Sequence, residues 1–411
     1  MLQPPTFNLP PRGTGLILLL SLSCLIILQG MGSFFIVLRI YSELNSKDYL
    51  PLASALSIAP GIYFSFFSGR LIDKFSAKLT VLAAMVIYLI SILNITWLEL
   101  HDQLGLPWLL AFICIQSVVS GTIAIAISAI IPELFNRDKL RLAYASYSFI
   151  SGSAMTFSPA LAGVLYGGLE FRSLILMLLF FTLIFFFFIM CYMPASQKNN
   201  TKPNVGTTSY LSELVKSGLH RFSFFYAFIN ALNGLSIILV PLYILKMFND
   251  NHLTLAMVSS FIAFSSLFGV LVSAKSFPVQ NHIVIGLTTL FGALLGRIFI
   301  PMTEDLIMLC ILFSMRGIAL EVGNMANQME WIDRTNEKNR AGMLGLRRLF
   351  GQGLYPIISI SFSIFALLIG VDLNTDFINV VFLVSGIFEV AASIIFLIVL
   401  NNLKATATTT Q

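Results

Sequence analysis

The stretch GRLIDKFSAK, residues 69 to 78, separates two apolar runs that are each long enough to cross a membrane. Its charged residues are Arg70, Asp73, Lys74 and Lys78. Short cytoplasmic loops between spans retain Lys and Arg, which accounts for the three cations. This rule does not account for Asp73, because a carboxylate at a membrane surface pairs with a cation or with the N-terminus of a neighbouring helix. The stretch therefore predicts a membrane protein in which Asp73 has a specific partner.

The composition supports a membrane protein and excludes several classes of function. Of the 411 residues, 57% are hydrophobic and 10% are charged, whereas soluble proteins carry about 25% charged residues. The four cysteines stand singly in apolar runs without the spacing of metal ligands, so we expect packing roles, no metal and no cofactor. The net charge of +5 is spread over short loops, so we expect a lipid bilayer rather than nucleic acid as the partner.

Apolar runs of about 20 residues, the length that crosses a ~30 Å hydrocarbon core, recur along the chain. The twelve predicted spans are 15–40, 49–68, 79–98, 106–133, 142–167, 172–194, 221–246, 253–274, 282–301, 305–329, 342–369 and 375–401. An even number of spans places both termini on one side of the membrane. The sequence thus predicts an all-α membrane protein with twelve transmembrane helices.

The longest polar segment follows the sixth predicted span and divides the chain into two six-helix halves. We predict an N-terminal half at 1–194, a cytoplasmic linker at 195–220, a C-terminal half at 221–401 and a cytoplasmic tail at 402–411. An offset of 204 residues aligns LQG, beginning at residue 28, with LNG, beginning at residue 232. An offset of 197 aligns PELFNRDKL with MEWIDRTNE. These matches predict pseudo-symmetric halves with a binding site between them at the midplane.

The distribution of Lys and Arg predicts the orientation in the membrane. With both termini inside, the inner segments hold 18 of these residues, including Arg347 and Arg348, whereas the outer segments and helix ends hold four. Cytoplasmic loops retain positive charge. We therefore expect both termini and the linker to face the cytoplasm.

The stretch at 69 to 78 resembles the loop between the second and third helices of the major facilitator superfamily, written Gly-x-x-x-Asp-Arg/Lys-x-x-x-Arg/Lys. Gly69, Asp73, Lys74 and Lys78 match this pattern. The resemblance covers essentially the whole chain and implies that the loop latches onto the eleventh helix, which begins near Gly342. The halves would then close on the cytoplasmic side.

Residues 131 to 167 are similar to the exporter branch of that superfamily, which contains bacterial siderophore exporters and macrolide-efflux proteins. In this branch a Pro-Glu loop leads into a fifth helix with a Pro-x-x-x-Gly motif. The resemblance implies a monomer in the bacterial inner membrane that exports an amphipathic small molecule, such as a siderophore or a drug, in exchange for protons.

Two features depart from the family pattern. The antiporter signature Gly-Pro-x-x-Gly-Gly reads SPALAG here, from Ser158 through Pro159 to Gly163. Small residues still allow close helix packing, so we predict a packing motif at these positions. The corresponding loop of the second half has Ser273 where the first half has Asp73, so we expect a charged gate in the N-terminal half alone.

Ionisable side chains inside spans are expensive in lipid and mark functional pathways. Glu321 in the tenth span is the preferred carrier of a proton, and pairing with a neighbouring helix is the alternative. Arg316 stands five positions earlier, about 140° around a helix, so we do not expect these two side chains to pair. Glu389 in the twelfth span is the second candidate for the proton.

Polar residues in the first and seventh spans complete the predicted site. Arg39 ends the first span, where it either extends to the outer surface or attracts anions at the mouth of the cavity. Gln29, Asn230 and Asn233 lie in the first and seventh spans, which line the cavity in the superfamily. They either bind a polar substrate or form hydrogen bonds between helices.

Other classes of function fit the sequence less well. The four histidines lie in loops or at span edges without a nucleophile and base motif, which argues against a membrane enzyme. The chain contains no GxxxxGK[ST] phosphate loop, so ATP is not expected as the energy source. Paired halves with a gate in one of them suit alternating access better than a static channel. Import or leaflet transfer of a nutrient or lipid by the same fold is the alternative to export.

Overall fold

The computed structural model describes residues 14–42, 56–135, 139–193, 207–248, 252–273, 280–369 and 375–408, and every regular element in these ranges is helical. The helices of the first half are α1 (Thr14–Ser42), α2 (Ala59–Lys74), α3 (Ala77–Leu100), α4 (Leu106–Leu134), α5 (Leu140–Gly168) and α6 (Phe171–Tyr192). The later helices are α7 (Thr207–Lys216), α8 (Leu219–Met247), α9 (His252–Ser273), α10 (Asn281–Ala293), α11 (Leu306–Arg334), α12 (Arg340–Gln352), α13 (Leu354–Ile369) and α14 (Thr375–Thr408).

Two of the predicted spans are interrupted. In the ninth, α10 continues into a π-helical turn, Leu294–Ile298, and a 3-10 turn, Ile300–Met302. The eleventh is divided at Gly353 into α12 and α13. By length and hydropathy alone, six helical segments within the described ranges can cross a membrane. The short helices α2, α12 and α13, of 16, 13 and 16 residues, fall below that length.

Most of the stretch GRLIDKFSAK is helical rather than a loop. α2 continues through Lys74 and α3 begins at Ala77, so that Phe75 and Ser76 make the connection. Ser76 caps α3, because its hydroxyl accepts a hydrogen bond from the backbone N–H of Leu79 at 3.2 Å. The last turn of α2 therefore holds Asp73 in a fixed direction.

The predicted linker contains a helix that the sequence analysis did not predict. Residues 1–13, 195–206 and 409–411, which belong to the predicted termini and linker, lie outside the described residues. The described part of the linker forms α7, in which Tyr210 and Leu214 are buried. These residues are four positions apart and share one face of the helix, so α7 packs against the bundle along that face.

α2 and α12 pack against each other through glycines. A Cβ atom on Gly69 would lie 2.3 Å from the carbonyl oxygen of Ala341, and one on Gly345 would lie 2.4 Å from the carbonyl oxygen of Ser65. Either position therefore requires the absence of a side chain. The Ser65 hydroxyl uses this proximity to donate a hydrogen bond to the carbonyl of Gly345 at 3.0 Å.

The contact between α2 and α12 extends along the full length of α2. Near the beginning of α2, the hydroxyl of Tyr63 donates a hydrogen bond to the carbonyl of Gly353 at 2.9 Å. Near its end, Gly69 contacts Ala341 at the beginning of α12. The two helices are therefore antiparallel, and we call the end of the bundle where α2 ends and α12 begins the closed end.

Replacing Gly69 with alanine is expected to destabilise the packing of α2 on α12. The added methyl group would lie 2.3 Å from a backbone carbonyl oxygen, and such overpacking costs about 1 to 3 kcal/mol. The melting temperature of the purified protein in detergent measures this effect. Gly168→Ala is the matched control, because a Cβ atom there has no heavy atom within 4 Å. Equal melting temperatures for the two variants would contradict the proposed packing.

Candidate functional site

The carboxylate of Asp73 joins the two halves of the bundle at the closed end. Asp73 lies in the last turn of α2 and is 3% exposed. Its Oδ1 accepts a hydrogen bond from the backbone N–H of Ala341 at 3.3 Å, and its Oδ2 accepts one from Gly342 at 2.6 Å. These amides belong to the first turn of α12, where unpaired N–H groups carry partial positive charge. The helix terminus thus stabilises the charge of a buried carboxylate.

The linker helix α7 adds a further hydrogen bond to this contact. The Tyr210 hydroxyl donates to Oδ2 of Asp73 at 3.2 Å, and its ring packs edge-on against Phe66 with 5.7 Å between centroids. Burial and the adjacent Asp73 carboxylate raise the pKa of Tyr210 well above its ordinary value, so the hydroxyl remains a donor. The sequence predicted a contact between the loop and the eleventh helix but not the participation of the linker.

A second side chain of α7 binds the segment that precedes α12. Glu213 accepts hydrogen bonds from the backbone N–H of Asn336 at 2.9 Å and from the side-chain amide of Asn339 at 2.6 Å. Together with Tyr210, it places α7 across the junction between the two halves. The linker therefore contributes directly to the closed end.

The three cations of the predicted gating loop have surroundings that differ from those of Asp73. The guanidinium of Arg70 lies 5.8 Å from the ring centroid of Phe66, and the ammonium of Lys74 lies 5.1 Å from that of Phe75. Lys78 is half-exposed in the first turn of α3. These positions fit a role in membrane orientation, whereas Asp73 has the bridging contacts.

A cavity of about 280 Å³ lies between the two halves. One wall comes from α4 and α5, and the other from α8, α11 and α12. The wall of the first half is rich in hydroxyl groups, contributed by Ser128, Tyr144, Tyr147 and Ser148. This composition suits a polar or amphipathic small molecule.

The cavity lining contains the charged residues Glu321, Arg347 and Arg348. Glu321 was predicted as a site residue. Arg347 and Arg348 were counted among the inner segments, and the structure places both within α12, where they line the cavity. Their position inside the predicted span 342–369 was the available signal, since cations within a span are expensive and face a polar interior.

The C-terminal half also contains a buried charge network. Arg297, on the π-helical turn, is 0% exposed, and it donates hydrogen bonds to Glu389 at 2.5 Å and to Ser385 at 2.7 Å. Arg297 and Arg316 both donate to Oδ1 of Asn233, at 3.0 and 2.6 Å. A π-helical turn redirects side chains locally, which brings Arg297 onto its partners. Glu389 is therefore the partner of a buried cation.

Two further predicted residues hold helices together in the first half. Arg39 forms an ion pair with Glu99 at 3.1 Å and lies over the ring of Phe171 at 4.9 Å. This pair joins α1 to α3. Ser158 donates a hydrogen bond from α5 to the carbonyl of Ile27 in α1 at 3.1 Å. Pro159 and Gly163 lie in α5, but their side-chain environments lie outside the described part of the structure.

The predicted amides differ in their exposure to the cavity. Asn230 lines the cavity and donates a hydrogen bond to the carbonyl of Gly351 at 2.6 Å. Gln29 is 3% exposed, and its backbone carbonyl accepts a hydrogen bond from the side chain of Gln116. Within the described residues, the side-chain amide of Gln29 has no hydrogen-bond partner. The same residues contain no group of His, Cys, Asp and Glu that could hold a metal ion.

The structure therefore distributes the main predicted residues among three places. The closed end contains Gly69 and Asp73, the cavity contains Glu321 and Asn230, and the buried network contains Arg316, Asn233 and Glu389. Glu321 and Arg316, which were not expected to pair, have separate surroundings.

Comparisons with known proteins give a consistent fold. A family model described as "Major Facilitator Superfamily" matches residues 18–358. The human organic anion transporter MFSD10 (TETRAN) is similar in structure, with a TM-score of 0.72 and 14% identity, over 94% of this chain and 100% of that one. The proton:xylose symporter XylE, bound to 6-bromo-6-deoxy-D-glucose, gives a TM-score of 0.65 and 13% identity, over 92% and 94%. No curated protein matches the sequence. The predicted fold class, an all-α membrane protein with two six-helix halves, is confirmed.

Replacing Asp73 with asparagine is expected to loosen the closed end. The variant loses charge-assisted hydrogen bonds worth about 1.5 to 3 kcal/mol, which shifts a two-state equilibrium roughly 10- to 150-fold. Ser65 is a suitable reporter because it is 0% exposed and contacts Gly345 across the halves. In a protein without its native cysteines, Ser65→Cys should react with maleimide at least several-fold faster when Asp73→Asn is present.

The control for this measurement is Lys74→Gln. It changes a charge at the adjacent, exposed position without removing a hydrogen bond to α12. Equal labelling rates for the Asp73→Asn and Lys74→Gln proteins would show that the carboxylate does not control the closed end.

Replacing Glu389 with alanine is expected to destabilise the protein strongly. Arg297 would remain as a buried cation without its carboxylate, a change that costs about 3 to 5 kcal/mol. Thermal unfolding in detergent measures the loss, and Glu304→Ala, at an exposed position, is the control. A melting temperature within error of the control would argue against a stabilising ion pair.

Proposed function

Because the chain belongs to the Major Facilitator Superfamily and is a transporter of that type rather than an enzyme, we propose that it exports an amphipathic small molecule in exchange for protons. It is a multi-pass membrane protein. The proposal places it in a bacterial inner membrane with both termini in the cytoplasm, on the basis of its charge distribution. The proposal also includes action as a monomer, as the resemblance to the exporter branch implies.

The observation that supports this function best is a carboxylate in the cavity between the halves. Glu321 lines the cavity together with residues of both halves. In alternating access, a group at this position is exposed first to one side of the membrane and then to the other. A carboxylate there can bind a proton from one side and release it to the other, which couples transport to the proton gradient.

The closed end supplies the second requirement of alternating access, a contact that can open. Asp73 accepts hydrogen bonds from backbone amides of α12 and from Tyr210 of the linker. Hydrogen bonds of this kind can be exchanged for water when the two halves separate. The halves would then expose the cavity to the cytoplasm.

The direction of transport and the substrate class rest on the resemblance of residues 131–167 to the exporter branch. Siderophores and drugs are the substrates expected from that resemblance. The structural similarity to an organic anion transporter and a sugar symporter shows the fold alone, because the identities are 14% and 13%.

Import by cotransport with protons is the second candidate, and the charge of the cavity favours it for an anionic substrate. With all three groups ionised, Glu321, Arg347 and Arg348 give the lining a charge of +1. A proton on Glu321 raises this charge and strengthens the binding of an anion. Exchange instead requires that the cavity bind either the proton or the substrate, but not both at once. This requirement suits a substrate that is a cation or a neutral molecule.

Replacing Glu321 with glutamine is expected to abolish proton-driven accumulation while preserving downhill exchange. Glutamine has nearly the same shape as glutamate but cannot carry the proton. The measurement uses reconstituted vesicles with an imposed pH gradient and two fluorescent probes, an anionic and a cationic amphipathic dye. Glu304→Gln, at an exposed position, is the matched control.

The direction of the gradient that drives accumulation decides between the two candidates. Exchange moves the probe against the proton flux, and cotransport moves it with the flux. If Glu321→Gln accumulates either probe as the wild type does, the proton is carried by another group.

A further inference from the structure

We propose that Arg347 and Arg348 form an anion-binding site in the cavity and that the substrate is a small organic anion with a carboxylate or a similar group. The inference deepens the proposed transport function, on which it rests for the identity of the cavity as the substrate site. An anionic substrate favours the second candidate, cotransport with protons, whereas the binding site itself requires neither a direction of transport nor a coupled ion.

The charge of the cavity is the first argument. The lining contains two cations and one anion, Arg347, Arg348 and Glu321. Among the described residues, neither arginine forms a salt bridge with a carboxylate. Charged groups inside a membrane are stable when an opposite charge or a polar cavity compensates them. An anionic ligand supplies the opposite charge that the lining lacks.

The buried network provides an example of a cation whose charge is compensated entirely by the protein. Arg297 is bound by a carboxylate, a hydroxyl and an amide, those of Glu389, Ser385 and Asn233, and is 0% exposed. By contrast, Arg347 and Arg348 are half-buried rather than fully enclosed, and both line the cavity. Their surroundings therefore differ from those of a cation fixed permanently in the core.

The hydrogen bonds of the two arginines leave donors available. Arg347 donates to the side chain of Gln328 and, at 3.4 Å, to the carbonyl of Asn324, and its Nε has no partner within the described part of the chain. Arg348 donates one long hydrogen bond of 3.5 Å to the carbonyl of Gly121. A guanidinium carries five N–H donors in a fork that matches a carboxylate. Arg348 thus has the greater capacity to bind a ligand.

The opposite wall offers a hydroxyl that can complete the site. The hydroxyls of Tyr144 and Tyr226 donate to the backbone carbonyls of Ser128 and Gly323. Tyr147 also lines the cavity, and its hydroxyl has no hydrogen-bond partner among the described residues. Tyr147 belongs to α5 and Arg348 to α12, so a ligand bound by both would join the two halves. The cavity volume of about 280 Å³ limits the ligand to a small molecule.

The position of Arg348 also connects ligand binding to the contact between the halves. Its bond to Gly121 crosses from α12 to α4. An anion that attracts the guanidinium competes with this weak contact. Ligand binding can therefore change the stability of the interface, as a transporter requires.

The test is the ligand-induced increase in melting temperature of the full-length protein in detergent, without any gradient. The probes are 4-phenylbutyrate, phthalate and tricarballylate, their methyl esters, and 4-phenylbutylamine. A ligand that binds the folded state stabilises it by an amount that rises with the logarithm of its concentration relative to its dissociation constant. We expect at least one carboxylate to stabilise the protein, and we expect its ester and the amine to have no comparable effect.

Arg348→Gln is expected to weaken the binding of that carboxylate roughly tenfold or more, because a charge-assisted hydrogen bond is lost. Arg348→Lys, which retains the charge but not the fork, should bind with intermediate affinity. Tyr147→Phe provides a second variant with a milder change should Arg348→Gln prove unstable. Arg172→Gln, at an exposed position at the start of α6, is the control and should bind as the wild type does.

Three outcomes would overturn the proposal. They are no stabilisation by any of the carboxylates, equal stabilisation by the esters or the amine, and unchanged binding in both the Arg348→Gln and Tyr147→Phe proteins. A purely structural Arg348 would lower the melting temperature without ligand and leave the ligand-induced shift unchanged. The proton-coupling proposal fails separately, in the vesicle experiment on Glu321→Gln, because the binding measurement needs no proton gradient.

Discussion

The burial of the Asp73 carboxylate at the N-terminus of α12 is the constraint on which the geometry of the closed end depends. Backbone amides can reach a carboxylate on another helix only if the two helix backbones approach closely. Gly69 and Gly345 permit that approach, because a Cβ atom at either position would overlap a carbonyl oxygen of the facing helix. Close packing and the charge contact therefore require each other. The result fixes both the direction and the axial position of α12 relative to α2.

The position of α12 in turn determines the chemistry of the cavity. Arg347 and Arg348 follow Gly342 by five and six residues, or about one and a half helical turns. The first turn of α12 is held at the closed end. The cations that follow in the next turns of the same helix therefore line the cavity. A single short helix therefore contributes both to the contact between the halves and to the lining of the cavity. This arrangement places the contact with Asp73 and the cationic lining of the cavity on the same helix.

The two halves use different polar groups at related positions. Asn233, which the internal alignment places on Gln29, receives hydrogen bonds from two arginines in the C-terminal half. Gln29 instead accepts, at its backbone carbonyl, a hydrogen bond from the uncharged side chain of Gln116. Buried cations need a carboxylate and several acceptors, which the C-terminal half supplies through its π-helical turn and Glu389. The symmetry of the backbone therefore does not extend to the electrostatics, and the cationic wall of the cavity comes from the C-terminal half.

The sequence by itself determined the membrane class, the two six-helix halves and the family, because apolar run length and a short charged motif are local properties. It also identified Asp73 and Glu321, since a lone carboxylate at a helix end or within a span needs a partner or a function. The sequence did not reveal the linker helix α7 or the cavity positions of Arg347 and Arg348. Whether an arginine near the end of a span faces a loop, lipid or a cavity depends on which helix packs beside it. Only the tertiary structure, in which α12 packs along α2, decided that these two cations face the cavity between the halves.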